Sequence, residues 1–178
     1  MTDDSFDEDC LFLNIYAPAS KSDKPRPVLF WIYGGGFVNG SSSIAWYDGS
    51  NLAARGCVVV AINYRLGALG FAGRSDLGLQ DQITALTYVQ QHIADFGGDP
   101  ANVSLFGESA GGCSVLALFA APAAKSLFVR GWAMSPSIGQ LRTTDRADKS
   151  VELLLDDLGG DSLDDLAQKS TQEIVAAQ

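Results

Sequence analysis

The sequence predicts an α/β chain, with a mostly parallel sheet and helices on both of its faces. Strand-like apolar runs alternate with helical patterns along the chain, the order that right-handed crossovers produce. The runs are nearly unbroken rather than alternating apolar and polar, as in strands covered on both faces. The intervening segments carry apolar residues at spacings of three and four, one face of a helix. Leu11 to Tyr16 (LFLNIY) reads as the first strand, stopped by Ala17-Pro18. Val28 to Tyr33 (VLFWIY) is the second and ends at Gly34-Gly35-Gly36. Cys57 to Asn63 (CVVVAIN) is the third, β-branched and buried. Leu79, Ile83, Leu86, Val89, Ile93 and Phe96 then mark a helix, which Gly97-Gly98 ends before Asp99-Pro100 turns the chain. Val103 to Phe106 is a short fourth strand meeting Gly107, and Phe128 to Met134 (FVRGWAM) a fifth. Between them Ala110 to Ala121 reads as a helix of small and aliphatic residues packed closely on the sheet. From about Asp145 the chain is helical and acidic, with Val151, Leu154, Leu155, Leu158, Leu163 and Leu166 as its apolar positions. No internal repeat or low-complexity linker divides residues 1–178, so they read as one domain.

Composition narrows the function classes. Apolar residues make up 47% and charged residues 19% of the chain, a globular balance. The net charge of −9 and the scattering of the 12 basic residues argue against nucleic acid, which needs clustered Lys and Arg. No apolar run reaches the roughly 20 residues of a membrane span. Met1 to Cys10 is acidic and has no signal-peptide core, which leaves the compartment unread. The three cysteines form no CxxC or Cys/His pattern, so no metal site is expected, and Cys57 and Cys113 read as buried thiols. Oligomeric state leaves no sequence signal.

The chemistry sits in two glycine-rich turns. Residues 107–111 read Gly-Glu-Ser-Ala-Gly, a G-x-S-x-G between an apolar strand and a helix of small residues. That strand–turn–helix context is what a nucleophile elbow requires, and it points to an α/β-hydrolase fold with Ser109 as nucleophile. Gly107 and Gly111 leave room for the tight turn, and the helix N-terminus aims N–H groups at the site. The second turn is Gly34-Gly35-Gly36-Phe37, directly after a strand. Acyl transfer builds negative charge on the carbonyl oxygen, and preorganised N–H donors stabilise it. The N–H groups of Gly35, Gly36 and Ala110 are the candidate donors. The alternative for this loop is a flexible or phosphate-cradling turn, but neither a P-loop Lys nor a G-x-G-x-x-G is present.

The sequence resembles the type-B carboxylesterase and cholinesterase-like family. The resemblance rests on Glu8-Asp9-Cys10-Leu11-Phe12-Leu13-Asn14, Tyr33-Gly34-Gly35-Gly36-Phe37 and Asn63-Tyr64-Arg65-Leu66-Gly67. It continues through Leu77-Gly78-Leu79-Gln80-Asp81-Gln82, Phe96-Gly97-Gly98-Asp99-Pro100 and Gly107-Glu108-Ser109-Ala110-Gly111-Gly112. These blocks follow family order across about residues 7 to 136. Tyr33 stands where many related esterases have His. The resemblance implies a serine carboxylesterase that hydrolyses small-molecule esters through an acyl-enzyme on Ser109, with no cofactor and no metal. It also implies a triad acid and histidine downstream of the serine, outside these residues, and a leading segment before Glu8. The chain is therefore expected to be a partial α/β-hydrolase domain, an internal fragment or incomplete reading frame lacking the first and last strands. Cys10, which many secreted relatives bond to an upstream cysteine, is then expected to be free. Met134-Ser135-Pro136 replaces the family's Gln-Ser-Gly loop, which puts a supporting role for Ser135 in doubt.

Other residues receive plainer readings. His92, the single histidine, lies within the helix before the nucleophile strand and reads as a surface or flank residue. Glu108 reads as a buried carboxylate shaping the pocket, Asp81 as bonding locally at its helix start, and Arg65 as one half of a structural ion pair. Trp46 and Tyr47 could line an acyl or alcohol pocket, with packing as the default. Two rivals to the enzyme stand: a non-catalytic binding or adhesion protein on the same fold, and an inactive fragment.

Overall fold

A computed structural model describes residues 7–20, 22–73 and 76–178. Its centre is a five-stranded sheet of β1 (Leu13–Tyr16), β2 (Arg26–Ile32), β3 (Val58–Ile62), β4 (Gly98–Glu108) and β5 (Arg130–Met134). The spatial order is β1-β3-β2-β4-β5. β3, β2, β4 and β5 run parallel, and β1 joins β3 antiparallel at the edge. The helices are α1 (Ser50–Ala53), α2 (Gly67–Phe71), α3 (Leu77–His92), α4 (Ala110–Ala120), α5 (Thr144–Leu158) and α6 (Thr171–Ala177).

The period of two along a strand sorts the side chains between the two faces. Val28, Phe30 and Ile32 of β2 and Val103 and Leu105 of β4 are fully buried or nearly so. They share a core with Leu86, Val89 and Ile93 of the α3 segment and Val115 and Leu118 of α4. On the other face Trp31 and Phe106, opposite each other in register, stack with centroids 4.8 Å apart. Tyr47 covers Trp31 at 5.1 Å, and Gly49, which precedes α1, abuts Val59 of β3. With helical segments on both sides, all five residues of β3 are buried. This is why their sequence shows no polar alternation.

Most element boundaries move by one or two residues, and β4 differs more. Its strand begins at Gly98, not Val103, and includes the Asp99-Pro100 step. The register explains it: Arg26 pairs with Gly98 but Val28 pairs with Val103, so β4 bulges between them. Asp99 Oδ1 accepts the Ala101 N–H at 2.9 Å inside that bulge. The turn chemistry is present, but it buckles a strand rather than preceding one. Gly97 stops the preceding helix in a left-handed conformation, with φ 76°.

The chain reverses direction across the sheet at β2. From β2 it moves to β3 on one side, then crosses back to β4 on the other. Ligands of open parallel sheets bind outside the carboxyl ends of strands at such a switch point. Both glycine-rich turns emerge there, because Ile32 at the end of β2 pairs with Gly107 near the end of β4.

Candidate active site

Ser109 occupies the turn between β4 and α4 with φ 55° and ψ −116°. A residue with a Cβ pays strain there, on the order of 1–3 kcal/mol. The surroundings impose it. The Ser109 N–H donates to Met134 O at 2.9 Å, and Ser109 O accepts from the N–H groups of Cys113 at 2.9 Å and Ser137 at 3.2 Å. Space dictates the flanking glycines. A Cβ on Gly107 would lie 2.5 Å from the Gly111 carbonyl carbon, and one on Gly111 would collide with the Ile32 carbonyl. The elbow is thus wedged against the end of β2, and α4 begins directly behind the serine.

The loop after β2 passes beside it. A Cβ on Gly34 would sit 3.1 Å from the Cβ of Ser109. Gly35, Gly36 and Phe37 all have positive φ, at 110°, 65° and 64°. Gly35 O accepts the N–H groups of Val38 and Asn39, each at 3.1 Å, closing a tight turn. Phe37 O accepts the Gly67 N–H at 2.7 Å, and its ring meets Phe71 edge-on at 5.0 Å. The structure therefore brings Gly35 and Gly36 to the same sheet edge as Ser109 and Ala110. Ala110 is the first residue of α4, where a helix has no acceptor of its own for the N–H.

Tyr33 and Tyr64 support the floor. Their rings stack at 4.7 Å, Tyr64 Oη donates to Tyr33 O at 2.9 Å, and Tyr33 Oη donates to Tyr64 O at 3.4 Å. Burial pushes both phenols far above the ordinary tyrosine range, so both hydroxyls stay protonated as donors. Arg65 follows, and its guanidinium grips Asp81 through Nε at 2.8 Å and Nη2 at 2.7 Å. The Asp81 carboxylate also accepts the Arg65 N–H at 3.0 Å.

Several placements correct the sequence reading. Glu108 is exposed, not buried, although its carboxylate lies beside the glycine loop: a Cβ on Gly34 would sit 3.1 Å from Glu108 Oε2. Asp81 bonds across to Arg65 and not at its helix start, because the segment after β3 lays Arg65 against α3. Cys57 is only half-buried, its Sγ donating to Leu52 O at 3.0 Å, while Cys113 is fully buried. Cys10 is a free thiol, raised above its ordinary pKa by burial and by the Asp81 charge. Trp46 is 91% exposed, so packing is not its role, whereas Tyr47 packs on Trp31.

His92 ends α3, exposed, with its ring 4.5 Å from that of Tyr88. That is the entrance to β4, and Ser109 is at its exit. The strand has 11 residues. At roughly 3.3 Å per residue the two lie on the order of 30 Å apart. Among the described residues nothing hydrogen-bonds the Ser109 hydroxyl. Nor do any of those residues form a cluster of His, Cys, Asp or Glu that could hold a metal. No helix among them is long and apolar enough to cross a membrane. A shallow depression lined by Ile15, Tyr16, Pro18 and Ala53 lies at the β1 edge, remote from Ser109, and gathers no acid or cation.

Two residues at the site had no signal in the sequence. Gln140 donates from Nε2 to Gly36 O at 3.3 Å, and Ser137 Oγ donates to Gln140 Oε1 at 2.6 Å. Both follow β5, in a stretch where neither spacing nor composition marks them.

The comparisons with known proteins agree with this fold. The profile of the Carboxylesterase family matches residues 1–178. A para-nitrobenzyl esterase of Bacillus subtilis is 44% identical, over 96% of this chain and 37% of its own length. A liver carboxylesterase of Sus scrofa is 53% identical, over 70% of this chain and 23% of its own. The solved structure of a PNB esterase superposes with a TM-score of 0.88 at 41% identity, covering 96% of this chain and 38% of that one. The chain thus spans less than half the length of each of these relatives.

Proposed function

The chain belongs to the carboxylesterase family, and from that premise we propose that it carries the nucleophile and oxyanion-binding half of a serine esterase. Ser109 attacks the carbonyl carbon of a small-molecule carboxylic ester. Its proton passes to a histidine that the family resemblance puts downstream of these residues; the single histidine here, His92, stands at the opposite end of β4. The carbonyl oxygen becomes an oxyanion, to which the N–H groups of Gly35, Gly36 and Ala110 donate hydrogen bonds. Collapse of this tetrahedral species expels the alcohol and leaves an ester on Ser109. Water then adds to the acyl-enzyme and frees the acid. No step calls for a cofactor or a metal.

The observation that carries the reading is the strained Ser109 backbone at φ 55°, wedged beside a loop of left-handed glycines. Strain of this kind persists where a side chain must be presented at a turn. The test is active-site labelling of the full-length protein with a fluorophosphonate probe. The probe is expected to modify the peptide containing Gly107 to Gly112, and Ser109→Ala is expected to abolish both labelling and ester turnover. Labelling that survives Ser109→Ala would assign the nucleophile elsewhere.

A further inference from the structure

We propose that the turn from Ser137 to Gln140 is a clamp that fixes the two arms of the oxyanion site relative to each other, with Gln140 as a positioning residue. The proposal rests on the esterase reading above. Gln140 acts through Gly36 and touches no reacting atom.

A chain of three hydrogen bonds carries it. The Ser137 N–H donates to Ser109 O at 3.2 Å. Ser137 Oγ donates to Gln140 Oε1 at 2.6 Å, and Gln140 Nε2 donates to Gly36 O at 3.3 Å. One short turn after β5 thus holds the elbow at one end and the glycine loop at the other, across 104 residues of sequence.

The carbonyls matter because of the planarity of the peptide bond. In a trans peptide the C=O and the following N–H point in opposite directions, and no peptide among the described residues is cis. Fixing Ser109 O therefore aims the Ala110 N–H, and Ser137 is one of the two groups that fix it. On the other arm, Val38 and Asn39 hold Gly35 O and so aim the Gly36 N–H. The next peptide unit, Gly36 to Phe37, is the vulnerable one. Phe37 has φ 64°, which disfavours a residue bearing a Cβ. A flip of that unit, rotating φ of Phe37 by about half a turn, would return Phe37 to the ordinary extended region. The bond from Gln140 opposes the flip. It favours the left-handed conformations at Gly36 and Phe37, and with them the course of the loop past Ser109.

The amide suits this position for a chemical reason. It accepts from Ser137 through oxygen and donates to Gly36 through nitrogen. A carboxylate would keep the first bond and set an oxygen against the Gly36 carbonyl. Gln140 is half-buried at the site edge, the last residue of a three-residue 3-10 turn that buries none of its residues, so replacing it leaves the core intact.

The experiment uses the full-length protein with Gln140→Glu, Gln140→Ala and Ser137→Ala. Functional sites are counted by stoichiometric fluorophosphonate labelling, and kcat and KM for a short-chain p-nitrophenyl ester are expressed per labelled site. Affinity for a trifluoromethyl ketone, which forms an oxyanion on the serine, is measured alongside. Gln140→Glu is expected to lower kcat per site about tenfold, a fraction of what deleting a whole oxyanion donor costs. KM should stay within about twofold, and the ketone should weaken by the same factor as kcat. A merely structural residue would lower the number of labelled sites and the melting temperature while each surviving site turned over normally; that result overturns the proposal. So does a fall in kcat with ketone affinity unchanged. Should the Gln140 variants yield no labelled sites, Ser137→Ala decides, because it keeps the backbone N–H and removes only the hydroxyl. Unchanged turnover per site in that variant also overturns the clamp. Full ester turnover in Ser109→Ala would instead remove the esterase reading itself, whatever the Gln140 variants do.

Discussion

At the scale of single residues, Ser109 is where the proposed function and stability oppose each other. Its φ of 55° and ψ of −116° are held by a hydrogen bond that its N–H donates to Met134 O and by two that its carbonyl accepts from Cys113 and Ser137. Removing the hydroxyl alone leaves the strain in place, because alanine keeps the Cβ. Removing the Cβ as well releases it, offset in part by the larger freedom of glycine in the unfolded chain. Ser109→Gly is therefore expected to be more stable than Ser109→Ala by about 1 kcal/mol, read from urea unfolding of the two full-length variants. Equal stability, or a more stable alanine variant, would mean that the turn is not strained. Glu108, one residue away, shows how local this geometry is. A neighbour in sequence, it is exposed to solvent while Ser109 is half-buried, yet both reach Gly34, each 3.1 Å from where a Cβ on that glycine would sit. The sequence reading therefore erred on the burial of this carboxylate and not on its nearness to the loop, because burial depends on what covers the turn and not on the motif.

At the scale of elements, the site depends on how closely α4 approaches the end of β2. A Cβ on Gly111 would meet the Ile32 carbonyl and lie 2.8 Å from Tyr33 O, and both are backbone atoms that no rotamer change can move. Gly111→Ala is expected to cost about 3 kcal/mol, at the upper end for overpacking. It should also push Ala110 away from Gly35 and Gly36, so probe labelling of Ser109 should slow even in the folded fraction. Normal labelling with an unchanged melting temperature would show that α4 can retreat without harm. This packing was legible in the sequence, because glycine and alanine are the residues that permit such contact. So was β3, whose unbroken run Val58 to Ile62 reports cover on both faces. The bulge in β4 was legible only as a turn, since Asp99 and Pro100 carry the same local chemistry in either setting. Asp81 was misread for a related reason. A carboxylate early in a helix suggests a local bond, and its partner Arg65 is 16 residues earlier, brought in by the path after β3. Gln140 was not legible at all, because its bond to Gly36 depends on where β5 places the following turn.

At the scale of the whole molecule, the parallel sheet separates what enters from what leaves. The carboxyl edge holds Ser109, Ala110 and the Gly34 to Gly36 loop, and the amino edge of β4 holds His92. The polarity of α3 and β4 fixes this. The helix runs back along the sheet to its amino edge, and β4 then carries the chain some 30 Å forward to the serine. No side-chain rotation bridges that distance, so His92 cannot take the Ser109 proton. In the full-length protein His92→Gln is accordingly expected to leave kcat within about twofold. For the isolated 178 residues the consequence is stronger. A serine hydroxyl is a weak nucleophile without a base, and loss of the histidine in a serine hydrolase costs on the order of 10⁶ in turnover. What remains would come from the oxyanion donors, and the clamp from Ser137 to Gln140 lies within the chain to hold them. The isolated chain should therefore hydrolyse a short-chain p-nitrophenyl ester only slightly above background. It should still bind a trifluoromethyl ketone weakly, and Ser109→Ala should change its turnover little. Turnover of about 1 s⁻¹ or more, within the ordinary enzyme range, and lost in Ser109→Ala, would place a working base among these residues. The separation of His92 from Ser109 by the length of β4 would then be wrong.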